Sequence, residues 1–119
     1  MEGNTAQVNR LDQLFARSQR EIEAHALEIA VTEIGRYYII EAAHLLAALR
    51  LWAQDNYGTE QSVREILETL DAAALRDVAS QLRGMEGRGA KTASATVSAM
   101  AELPSSHLRA ISSYALRAL

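Results

Sequence analysis

The stretch YYIIEAAHLLAALRLW, Tyr37 to Trp52, is the most apolar part of the chain, and its reading decides the fold. One polar pair, Glu41 and His44, stands in its middle at helical spacing. From Glu41 to about Gln54 the run is apolar on nearly all sides, which predicts a central, buried helix. Glu41 in the first turn favours the positive end of that helix's dipole. Tyr37 to Ile40, aromatic and β-branched, is expected to be extended, so that Tyr37 and Tyr38 cannot both point inward. DNYG, Asp55 to Gly58, is a turn cluster.

Upstream, Leu11, Phe15, Ser18, Ile22, Ala26, Ile29 and Glu33 step by three or four, with Leu14 and Ala30 beside them. That spacing predicts a first helix from about Gln7 to Gly35, its end set by the glycine. Downstream, Thr59 can cap a helix over Glu60 to Leu70, and Asp71 one through Leu82. RGMEGRGA, 83–90, is a glycine-rich loop by composition. A helix is expected over Ala90 to Leu103, stopped by Pro104, and Ser105 or Ser106 can cap a last one with Leu108, Ile111, Ala115 and Leu119 on one face. The reading is all-α: a compact array of five to six helices, one domain over 1–119.

Composition agrees. The chain has 119 residues, 49% apolar and 23% charged, an ordinary globular mixture. Its formal charge is −3 and its only lysine is Lys91, which argues against a large phosphate-binding surface. There is no cysteine, which excludes disulfides, thiolate zinc sites and cysteine nucleophiles. MEGNTAQVNR lacks the pattern of a signal peptide, and the longest apolar run is broken by Glu41, His44 and Arg50. A cytoplasmic chain with no membrane span is expected.

Three constellations carry candidate chemistry. Glu41-x-x-His44 is the ligand pair of carboxylate-bridged di-iron bundles, a ferritin-like reading, but such sites need a second Glu-x-x-His and none occurs. No metal and no cofactor is therefore expected; the plainer role of His44 is a packing position hydrogen-bonded to a loop carbonyl. GMEGRGAKTASATV, Gly84 to Val97, resembles a helix-hairpin-helix, a DNA-binding module whose Gly-x-Gly turn lays backbone N–H groups against a phosphate. Gly87, Gly89 and Lys91 fit that spacing, whereas Arg88 stands where the motif has an apolar plug. Leu11, Leu14, Phe15 and Ser18 lie near a chain end; left exposed, they make an apolar wall able to receive a partner helix. No serine–histidine–acid set and no Gly-x-x-x-x-Gly-Lys-Ser/Thr loop occurs, so no enzyme is expected.

HLLAAL, His44 to Leu49, preceded by YYIIEAA, resembles the signature of the amino-terminal domains of Clp-type AAA+ unfoldases. IEAHALEIA, Ile22 to Ala30, resembles their first helix, and VREILETLDAAALRDVASQL, Val63 to Leu82, their continuation. LPSSHLRAISSYALRAL looks like the opening of their second repeat. Leu11 and Leu14, Arg83-Gly84 and Pro104 to Leu108 are closest to the unfoldase that disassembles type VI secretion sheaths. The chain departs where that family has a glutamate before the histidine, here Ala43, and a threonine cap, here missing from Glu41 and Ala42. The resemblance implies a first repeat over 10–82, the glycine-rich loop at 83–90 and a partial second repeat over 91–119. It implies a non-enzymatic chaperone module binding a protein or peptide segment of a client or adaptor, such as a sheath-protein helix. His44 and Leu45, Leu46 and Leu49 would then build the core of the repeat.

Overall fold

A computed structural model of the protein describes residues 2–26, 32–56 and 58–119. Among them are six helices and no strand: α1 (Glu2–Ala24), α2 (Glu33–Asp55), α3 (Glu60–Glu68), α4 (Ala72–Gly84), α5 (Arg88–Ala101) and α6 (Ser105–Leu116). The all-α array predicted from the periodicity is the observed fold. None of these helices is long and apolar enough to cross a membrane.

α2 is the axis of the array and touches each of the other five helices. Its all-round apolar sequence is what a central helix requires. Leu45, Leu46, Leu49 and Leu51 are fully buried, with Ala42, Ala43, Ala47 and Ala48 between them letting neighbouring backbones come close. Each buried leucine contributes about 1.5–3 kcal/mol. Around them Ile22, Val63, Leu67, Leu75, Leu82, Val97 and Ile111 complete one continuous core.

α2 starts two turns earlier than its composition suggests, and Tyr37 to Ile40 is helical, not extended. The cause is Thr32, whose hydroxyl accepts from the Gly35 N–H at 2.9 Å, with Glu33 in the first turn. Burial of Ile39 and partial burial of Tyr38 outweigh the weak helix propensity of this segment. Gly35, expected to end the first helix, is a buried residue inside α2. α1 instead ends at Ala24, its last turn tightening into the His25-to-Ile22 and Ala26-to-Glu23 bonds. Ile29 and Ala30 of the expected stripe lie outside the described residues.

The caps at Thr59 and Asp71 form as read. Thr59 and Ser62 exchange a capping box, and the Asp71 carboxylate accepts from the Ala74 N–H at 2.7 Å. Ahead of α3, the Gly58 N–H donates to the Ala53 carbonyl at 2.6 Å, and a Cβ there would stand 3.3 Å from Ala53. Neither Ser105 nor Ser106 caps α6; Pro104 occupies that place and its carbonyl takes the His107 and Leu108 N–H groups.

The glycine-rich loop is far shorter than its composition predicts. Arg83 and Gly84 finish α4, Arg88 to Ala90 open α5, and three residues, Met85 to Gly87, make the turn. α4 and α5 pack along each other as a helical hairpin. Gly89, Ala90, Ala93 and Val97 are buried in α5, and the Ser94 hydroxyl donates to the Ala79 carbonyl at 2.7 Å.

Candidate functional site

The first turns of α2 break the rule that large apolar side chains go inside. Ile34 is 71% exposed, Tyr37 49% and Ile40 41%. His44 is exposed on the same face, because positions seven apart on a helix drift by only about 20°. The interior place expected for His44 is therefore corrected. Ala43 and Leu45 on either side of it are buried, and the imidazole is turned out of the core.

His44 is held all the same. Phe15 of α1 stacks on it, ring centroids 4.2 Å apart and planes inclined by 25°. Beyond the stack opens a cleft of about 280 Å³, lined by Glu41, His44, Thr96, Ala99, Met100 and Leu103. Its walls come from α2, α5 and the residues that lead into α6. On the other flank Tyr37 meets Tyr38 edge-on at 5.4 Å, and the Tyr38 ring lies 6.1 Å from His107 and 6.0 Å from Tyr114. The result is an apolar stripe about two turns long, opening onto a shallow cleft with one imidazole and one carboxylate at its mouth.

The wall expected from α1 is not where the spacing put it. Leu14 is 5% exposed and Ser18 fully buried, because α1 packs that face onto α2. Leu11 and Phe15 are half-buried against the core. Of the four residues, Phe15 alone reaches the cleft's edge, through His44.

Glu41 and His44 do share one cleft, as their spacing predicts. Among the described residues, however, no group of three or more histidines or acidic residues is placed to hold a metal ion.

The hairpin residues are also brought together. Gly87, at φ 108°, is the N-cap of α5, and the Lys91 N–H donates to its carbonyl at 3.3 Å. That φ lies in the region where side chains are rare, so glycine suits the turn. Gly89 is buried against the packed helices; Lys91 is exposed, with Arg83 and Arg88 at the same end of the hairpin beside Glu86. Arg88 points away from the core and does not plug the turn.

No family model, curated protein or solved structure matches the chain.

One of Tyr37 and Tyr38 was expected to face outward, and it is Tyr37; that Ile34 and Ile40 share a surface with it was illegible, because Ile34 read as part of the first helix and Tyr37 to Ile40 as extended. The signal that could have found them is Thr32 followed by Glu33, a helix start that moves Tyr37 and His44 onto one face.

Proposed function

We propose that this chain is a non-enzymatic binding module that receives a protein segment on the Ile34–Tyr37–Ile40 stripe and the cleft beside His44. One observation carries the reading: the large hydrophobic side chains exposed among the described residues all stand on the first turns of a single helix. Contiguous exposed apolar surface marks interaction sites, whereas scattered residues need no explanation. An amphipathic helix laid on the stripe would bury its apolar face there and place one side chain in the cleft between Met100 and Leu103. Affinity is modest, since a short segment must be ordered as it binds.

The Clp-type resemblance supports the same class, a client or adaptor segment presented to an unfoldase, and its sheath-disassembly flavour suggests a helix of a sheath protein. The proposed surface rests on the exposed stripe and not on the family's motif.

The test is a fluorescence-anisotropy titration of amphipathic peptides from candidate sheath and adaptor proteins. A peptide that binds the wild type is expected to lose about 30-fold or more in affinity against Tyr37→Asp or Ile40→Asp, the loss typical of a central interface residue. Equal affinity for both variants removes the surface.

A second reading is favoured by the hairpin itself. α4 and α5 are packed and joined by Met85 to Gly87, with Gly87 at φ 108° and Arg83, Arg88 and Lys91 at the open end. Under this reading the first turn of α5 takes a phosphate of a nucleic acid backbone. Gel shifts at two salt concentrations decide it, because phosphate contacts weaken as salt rises. Absence of a shift at low salt ends it.

A further inference from the structure

At the far end of α2 from Tyr37, Arg50 is 4% exposed. Its Nη1 donates to Ser18 Oγ at 2.9 Å and to Glu21 Oε1 at 2.7 Å. Its Nε lies 2.9 Å from Glu60 Oε1, but the N–H is not aimed along that line. The two charges therefore attract, while the buried donor is left without a hydrogen-bond acceptor. Such a donor is costly to keep inside a protein.

This guanidinium lines a cleft of about 400 Å³ together with Arg17, Glu21, Glu60 and Arg64. Arg17 shares both carboxylates with Arg50, at 3.4 Å from Glu21 and 3.9 Å from Glu60. Glu21 and Glu60 are thus each shared between Arg17 and Arg50. Arg64, half-buried on α3, lines the same cleft and pairs with none of the described side chains. It is the arginine of the cleft without an ion pair to a described side chain, and Ala118 and Leu119 line the same cleft. Glu60 is the weakest member of the network, half exposed and poorly aligned on Nε.

We infer that this cleft binds a small oxyanion of the phosphate or carboxylate class, which pairs with Arg64 and takes the place of the Glu60 carboxylate beside Arg50. A planar guanidinium fork suits two-point contact with such groups, and the volume lies in the range of small-molecule sites. The inference is independent of the proposed docking stripe, since Ile40 and Arg50 are roughly 15 Å apart along the helix.

The test is a titration at constant ionic strength with inorganic phosphate and, separately, acetate, read as the thermal unfolding midpoint and by NMR. A saturable rise with at least one of the two anions is expected for the wild type, and which one responds fixes the class. Arg64→Gln is expected to weaken that response about tenfold or more, the loss of a charged hydrogen-bond pair. Glu60→Gln is expected to strengthen it by removing the competitor. Lys91→Gln, at the hairpin, is expected to leave it unchanged. No saturable response in the wild type, an unaltered one in Arg64→Gln, a weaker one in Glu60→Gln or its loss in Lys91→Gln each overturns the site.

Discussion

Arg50 on α2 reaches across to α1 and donates to Ser18 Oγ at 2.9 Å, a buried bond between a charged donor and a residue with no exposed surface. It ties together, from inside, the two longest helices among the described residues.

Removing Arg50 is expected to cost more than removing any other cation of its network. Arg50→Ala deletes the buried partner of Ser18 and Glu21 and leaves a void, and should destabilise the chain by about 3 kcal/mol. Arg17→Ala touches a pair that is half exposed, and should cost less than about 1 kcal/mol. Urea unfolding of both variants at neutral pH separates them; equal losses contradict the buried network.

Leu14 and Tyr37 are expected to behave in opposite ways. Leu14→Ala opens a cavity beneath α1 and should cost about 2–5 kcal/mol. Tyr37→Asp and Ile40→Asp change exposed positions and should stay within about 1 kcal/mol of the wild type. Denaturant midpoints with unchanged m-values check this, and they show that the binding variants are folded.

Much of the fold could be read from the sequence, for reasons visible in single residues. Thr59 and Asp71 cap as their side chains dictate, and the leucines after His44 are buried because a helix apolar on all sides has to be central. What escaped was governed by tertiary contacts. Tyr37 to Ile40 has a weak helix propensity, yet Thr32 and the burial of Ile39 make it helical. Once it is helical, Tyr37 and His44 fall on one face, where Ile34, Tyr37 and Ile40 stay exposed among the described residues. The site was hidden because exposed isoleucines and buried ones are the same letters. Arg50 read only as a break in an apolar run; a charge at a buried position implies partners, but their identity, Ser18, Glu21 and Glu60, depends on how the helices cross.

Two glycines beside the hairpin should respond with opposite signs. Gly87→Ala forces a side chain into φ 108° and should cost about 1–2 kcal/mol. Gly84→Ala meets nothing within 4 Å at the end of α4 and should stabilise by up to about 1 kcal/mol. Thermal midpoints of the two variants give the comparison, and a stabilising Gly87→Ala contradicts the turn geometry.

The early start of α2 depends on one hydroxyl. Thr32→Val keeps the shape and removes the acceptor for the Gly35 N–H, and should cost about 1 kcal/mol. Hydrogen exchange should quicken first at Gly35 and Arg36, ahead of the core; protection unchanged at both would show that the cap does not hold this turn.

The most direct test of the central claim is an NMR titration of the isotope-labelled protein with a peptide that binds it, followed by mapping the amides that shift. The docking account predicts changes over Ile34 to His44, at Phe15 and across Thr96 to Leu103. Changes confined to Gly87 through Thr92, or absent from the first turns of α2, contradict it.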